Sequence, residues 1–146
     1  MIFTSLFDEN SFYETFTTDL INCTKEVIIE SPYITTERMN KFFPIFKKLI
    51  QKGLKIYIVT RNPKYHSKSM ENQAESAIHQ CEILGIQVLV CSGNHHRKLA
   101  ILDRKILWEG SLNILSQTRS REIMRRIEDK KLAFEMFDFL KLWRFI

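Results

Sequence analysis

The sequence predicts an α/β domain with a mixed, partly parallel β-sheet and helices on both of its faces. Three observations carry this. Between residues 11 and 91, short β-branched runs alternate with segments of helical apolar spacing. Proline or glycine stands at the junctions. Past residue 95 the texture changes to two closely spaced apolar runs joined by a charged turn, which reads as a hairpin.

In chain order, residues 11–24 read as a helix and residues 27–30 (VIIE) as a short strand stopped at Ser31-Pro32. Residues 37–52 place Met39, Phe42, Phe43, Phe46, Leu49 and Ile50 on one helical side, with Gly53 as the stop. Pro44 inside this helix removes a hydrogen bond and is expected to kink or divide it. Residues 54–60 (LKIYIVT) are the clearest strand, ended by Arg61-Asn62-Pro63. Ser69 is the expected cap of a helix over residues 70–84 that Gly85 closes, and residues 86–91 form a third strand. This strand–helix alternation implies crossovers and parallel pairing. Residues 96–102 and 106–109 make the hairpin, joined by Asp103-Arg104-Lys105 without an Asn-Gly turn. Residues 128–143 form a final amphipathic helix.

With 146 residues, 45% hydrophobic, and only 4 Gly and 3 Pro, the chain is expected to be one domain, 1–146, with its own core and no flexible linker. Cys23, Cys81 and Cys91 are odd in number and widely spaced, which argues against a secreted disulfide framework. The first ten residues lack a signal-peptide pattern and no apolar run is long enough to span a bilayer, so a cytoplasmic setting without membrane attachment is expected. The net charge of +5 is localised. Residues 91–126 carry eight Lys and Arg against three Asp and Glu, and the remainder is balanced. Such a run is either a solvated face or a surface for a polyanion.

The chemistry is concentrated in His96-Arg97-Lys98-Leu99-Ala100-Ile101-Leu102-Asp103, followed six residues later by Gly110-Ser111-Leu112-Asn113. The pattern is H-x-K-x4-D-x6-G-S-x-N. Residues two apart on a strand share a face, so His96 and Lys98 point the same way. An imidazole can attack phosphorus while a fixed ammonium holds the phosphate oxygens. Ser111 and Asn113, again two apart, can donate to the same phosphate, and Gly110 admits close approach of backbone to substrate. Lys98 would then neutralise the charge that a metal ion neutralises elsewhere.

This pattern resembles the HKD signature of the phospholipase D superfamily and matches it at every position. Chance agreement of six residue types at fixed spacing is on the order of one in 10⁵. The resemblance covers roughly residues 25–128, and in size the chain is similar to the small bacterial endonucleases of that superfamily, which carry one motif per chain and act as dimers. It implies a phospholipase D-like fold, no cofactor and no metal. His96 would be nucleophile or general acid, with Lys98 and Asn113 binding phosphate. Members of the family usually place a carboxylate beyond the Asn to orient the histidine, and Glu122 fits best, with a surface Glu paired to Arg119, Arg125 or Arg126 as the alternative. Asp103 is either part of the site or a turn residue bonding backbone, and Ser111 either a phosphate donor or a turn hydroxyl.

His95 is expected to face away from His96. His66-Ser67-Lys68 imitates the start of the motif but lacks its later positions and falls in a predicted loop, although Arg61, Lys64 and Lys68 could contact phosphates. His79 reads as an ordinary helix residue. Cys81, Cys91, His95 and His96 lack zinc-site spacing. The expected activity is metal-independent cleavage of nucleic acid, DNA first and RNA second, through a phosphohistidine. Arg119, Arg121, Arg125 and Arg126 are expected on substrate phosphates, and a homodimer supplies the second histidine. The alternatives are a lipid phosphodiesterase and a nucleic-acid-binding module with a vestigial site.

Overall fold

The computed structural model describes residues 1–116 and 119–146. Seven strands form one sheet: β1 (Phe3–Asp8), β2 (Glu26–Glu30), β3 (Lys55–Arg61), β4 (Gln87–Cys91), β5 (Leu99–Leu102), β6 (Ile106–Gly110) and β7 (Ile123–Glu128). Their order is β1-β7-β6-β5-β2-β3-β4. Only β2, β3 and β4 run parallel; the remaining pairs are antiparallel. The mixed sheet agrees with the sequence reading.

The helices are α1 (Phe12–Ile21), α2 (Thr36–Gln51), α3 (Lys68–Leu84) and α4 (Lys130–Phe139). On one face Phe12, Phe16, Phe42, Phe46, Ala77 and Cys81 from α1, α2 and α3 pack with Val27, Ile29, Ile58 and Trp108 from the sheet. On the other, Ala133, Phe137 and Leu140 pack on Ile28, Tyr57, Leu99, Ile101 and Leu107. Strand alternation produces both surfaces, so β2 sends Val27 and Ile29 one way and Ile28 and Glu30 the other. Burial pushes the thiols of Cys23 and Cys81 up to about 12, leaving both as apolar packing groups.

The structure departs from the sequence reading at several elements. α2 runs unbroken through Pro44, whose exposed position and that of Asn40 one turn earlier let water take the carbonyl that proline cannot bond. α3 begins at Lys68 behind Ser67, two residues earlier than expected, while Gly85 closes it at φ 92° as expected. The hairpin loop is Asp103-Arg104-Lys105 as expected, and it turns tightly because Asp103 and Arg104 both take positive φ, 53° and 52°. Two strands escaped the pattern. β1 is an exposed edge strand with no clean alternation. β7 turns Arg126 toward the α1 side of the sheet, where its guanidinium meets the buried Asp19 at 2.8 and 3.0 Å; an inward arginine hides the apolar period. Among the described residues no helix is long and apolar enough to cross a membrane.

Candidate active site

The carboxyl ends of β2 and β3, the start of β5 and the end of β6 lie along one edge of the sheet, and the motif gathers there. The segment before β5 forms no regular strand until Leu99, so His96 and Lys98 sit on an irregular approach rather than within the predicted strand. His96 is exposed, and Lys98 Nζ donates 2.7 Å to the His96 carbonyl. The Lys98 carbonyl accepts from Gly110 N at 3.4 Å, which ties the front of the motif to its back.

Glu30, the last residue of β2, is the residue that sequence reasoning missed. It is fully buried. Its Oε1 lies 3.1 Å from His95 Nε2 and accepts from Arg97 Nε at 3.2 Å. One carboxylate thus grips the residues on either side of His96 and leaves His96 exposed between them. This accounts for the opposite settings of His95, nearly buried, and His96. The available signal was an acid ending a run of buried β-branched residues, which needs a partner wherever it lands.

Gly110 has a different reason from the expected one. A Cβ there would stand 2.1 Å from the Ile123 carbonyl oxygen and 2.9 Å from Met124 Cα, so β7, not substrate, requires the glycine. Ser111 continues that closure. Its amide donates to the Ile123 carbonyl at 2.9 Å, and its hydroxyl accepts from Ile123 N at 3.0 Å. Asn113 follows in a turn held by Tyr13. Burial drives the Tyr13 phenol up to about 12 and keeps it a proton donor, shared among the carbonyls of Ile114 (2.9 Å), Ser116 (3.0 Å) and Asn113 (3.4 Å). The Asn113 Oδ1 is buried with no partner among the described residues.

Glu122 comes to this edge from the segment before β7. The Ser120 hydroxyl, then the Ser111 hydroxyl and the Lys98 charge, hold its carboxyl below the usual range despite some desolvation. Its amide donates to Glu9 Oε1 at 2.8 Å. The structure therefore brings Lys98, Ser111 and Glu122 into one electrostatic neighbourhood, and Glu122 lies in no helix, so the helical pairing with an arginine does not form.

Asp103 is not there. It lies beyond the far end of β5 and accepts from the amides of Thr24 (2.9 Å), Lys25 (2.8 Å) and Glu26 (3.0 Å), the structural alternative, though on the backbone entering β2 rather than its own. Burial alone would raise its pKa; those amides and Lys105 outweigh it and lower it. The arginines also divide. Arg119 and Arg121 are exposed ahead of β7. Arg125 lines a groove of ≈ 740 Å³ with Lys98, Ser111, Leu6 and Phe139. Arg126, expected on substrate, is consumed by Asp19, because adjacent strand residues face opposite sides of the sheet. Among the described residues, no three His, Cys, Asp or Glu side chains are grouped to hold a metal ion.

Residues 16–143 match the family described as cardiolipin synthase, PLD-like domain. The chain belongs to this phospholipase D-like family and is, in class, a phosphodiesterase of that superfamily. Among solved structures, it is similar to a phospholipase D family member, Nuc from Salmonella typhimurium, at TM-score 0.77 and 17% identity, covering 99% of this chain and 93% of that one. NucT from Helicobacter pylori is similar at TM-score 0.72 and 17% identity, over 97% and 94% of the two chains. Phosphatidylserine synthase from Haemophilus influenzae Rd KW20 is similar at TM-score 0.69 and 15% identity, over 93% of this chain but 38% of that one. Comparison with curated protein sequences finds no match.

Proposed function

We propose that the chain is a nuclease that cleaves DNA, and secondarily RNA, without a metal ion, as a homodimer with one shared site. The observation that carries this reading is the exposed His96 held beside Lys98 at an edge where Ser111 and Glu122 converge. Arg119, Arg121 and Arg125 extend the positive surface to the phosphates of a polymer.

The reaction has two steps. His96 of one subunit attacks phosphorus, forming a P–N bond as the P–O bond to the leaving group breaks, and the second histidine gives that oxygen its proton. The second histidine then takes a proton from water, whose oxygen attacks phosphorus and releases His96. Lys98 and Asn113 hold the phosphate oxygens, and Glu122 orients an imidazole.

One chain has one complete motif, so the second histidine comes from a second copy. The groove beside Lys98 and Ser111 supports this. It has exposed Leu6, Ile123 and Phe139 along its rim, an apolar surface suited to an isologous contact. The same apolar rim favours a second reading, a lipid phosphodiesterase.

Plasmid and phosphatidylcholine vesicles, each offered in several millimolar EDTA, separate the readings. Nicking of the plasmid alone is expected. Vesicle hydrolysis without nicking overturns the nuclease, and nicking that disappears in EDTA and returns with Mg²⁺ overturns the metal-free step. Mixed dimers of wild type and His96→Ala are expected well below half activity; half activity, or an active monomer in sedimentation, rules out the shared site.

A further inference from the structure

We propose that Tyr33, His66 and Arg61 form a subsite for one unpaired nucleotide beside the scissile phosphate, with its base stacked at Tyr33 and a phosphate oxygen on Arg61. This rests on the nucleic-acid reading above and adds a strand preference to it.

Three observations lead there. The first is the set of rings. Tyr33 follows β2 at the site edge, its ring 4.8 Å from the His66 ring with 30° between planes and 6.4 Å from the ring of His96. An aromatic platform therefore adjoins the nucleophile. Any phosphate over His96 carries its neighbouring nucleoside past that ring.

The second is an incomplete cation. Arg61 ends β3, and its Nη1 donates to the Tyr33 hydroxyl at 3.4 Å while the guanidinium lies 5.7 Å from the Tyr65 ring centre. Its Nε is buried with no acceptor among the described residues. A buried guanidinium N–H without an acceptor costs free energy that an arriving phosphate oxygen recovers.

The third is the electrical setting. Burial first, and Arg61 second, lower the His66 pKa, while the Pro32 carbonyl and Glu71 oppose the shift. His66 is thus uncharged near neutral pH and serves as a flat ring behind Tyr33. Lys64 and Lys68 flank it, so the cluster is cationic overall despite Glu71. Flat rings with a cation in reach are the means by which proteins hold splayed-out bases without reading sequence. A base inside a duplex is stacked on its neighbours and cannot reach Tyr33; an unpaired base can. A phospholipid would satisfy Arg61 but has no planar group for the ring.

The test compares steady-state cleavage in EDTA of a short oligothymidylate and an abasic deoxyribose-phosphate polymer of the same length. Wild type is expected to prefer the oligothymidylate in kcat/KM by about tenfold. Tyr33→Ala should bring that ratio to about one, and Tyr33→Phe should keep the ratio. Tyr33→Leu, which retains bulk, serves if the alanine variant fails to fold. Arg61→Gln should slow both polymers alike and flatten the salt dependence by about one unit of slope. A wild-type ratio of one, or a Tyr33→Leu ratio equal to wild type, overturns the subsite alone. Failure of wild type to cleave either polymer while hydrolysing phosphatidylcholine vesicles overturns the nuclease reading and the subsite with it.

Discussion

The two ends of β5 are both tied to β2 by a carboxylate, and they are tied differently. At one end Asp103 accepts three successive amides from residues 24–26, while Arg104 forks onto Glu26 at 2.9 and 3.1 Å. Those contacts hold two non-glycine residues in the left-handed region, which costs on the order of 1–3 kcal/mol each. At the other end, Glu30 holds His95 and Arg97 with one oxygen, and its Oε2 has no partner among the described residues. Asn113 Oδ1 and Arg61 Nε, near the same edge, are also without partners there. The closed end uses its carboxylate on backbone shape, whereas the open end uses its carboxylate on the side chains either side of the exposed His96.

This contrast can be broken most sharply at the open end. His96→Ala should reduce cleavage by at least about 10³-fold, the scale set by loss of a nucleophile. Because His96 is exposed, melting temperature and DNA affinity should stay near wild type. A variant that no longer folds would make His96 structural and sink the reading. Glu30→Leu comes next. It removes the grip on His95 and Arg97, and a displacement near 1 Å at a reacting group costs about 10²-fold. The loss should fall in kcat with KM little changed. Arg97 is 52% exposed and can turn to water, so stability should hold. Glu30→Gln keeps the accepting oxygen and should recover part of the rate. Equal loss of kcat and thermal stability in both variants would reduce Glu30 to a packing residue.

At the closed end the same kind of substitution should cost stability rather than rate. Asp103→Ala leaves three amides without their acceptor and is expected to cost about 2 kcal/mol, read in denaturant melts, with specific activity per folded molecule unchanged. The acid dependence has a definite sign. The folded pKa of Asp103 is lowered from 3.8, so its contribution is complete above the unfolded value and disappears as pH falls through the lower, folded one. Wild type should therefore lose part of its margin below about pH 4, and Asp103→Asn should lose less over that window. Equal acid profiles would show that the three amides do not discriminate the charged form.

Much of this was legible in the sequence, and the exceptions have a common cause. Spacing located the parallel strands, the helices between them and the hairpin, because each follows one period and stops at Gly or Pro. The motif marked the site edge, because its residues are fixed relative to one another along the chain. β7 and Glu30 were not legible. Arg126 and Glu30 occupy inward positions as charges, and their partners, Asp19, His95 and Arg97, lie 107, 65 and 67 residues away. A local pattern counts such residues as solvent-facing. The role of Gly110 was misread for the same reason, since the β7 backbone that presses on it belongs to a strand the pattern did not contain.

Arg125 and Arg126 compress the whole contrast into adjacent residues. Arg126 belongs to the satisfied part of the molecule. Its guanidinium closes on Asp19, which also accepts from Trp108 Nε1 at 2.8 Å, so Arg126→Gln leaves a buried carboxylate without its counter-charge. A cost of about 3 kcal/mol is expected, with DNA affinity of the folded protein unchanged in its salt dependence. Arg125 faces the other side of the sheet, touching only the Thr4 hydroxyl at 3.2 Å among the described partners and opening onto the groove with Lys98 and Ser111. Arg125→Gln should leave the melting temperature within experimental scatter. If it meets one phosphate, the slope of log affinity against log salt should fall by about one unit, the smallest of these effects and the most specific. Should Arg125→Gln lower stability while Arg126→Gln flattens the salt dependence, the assignment of the two faces of β7 would be reversed, and the groove beside Lys98 would no longer be where the polymer lies.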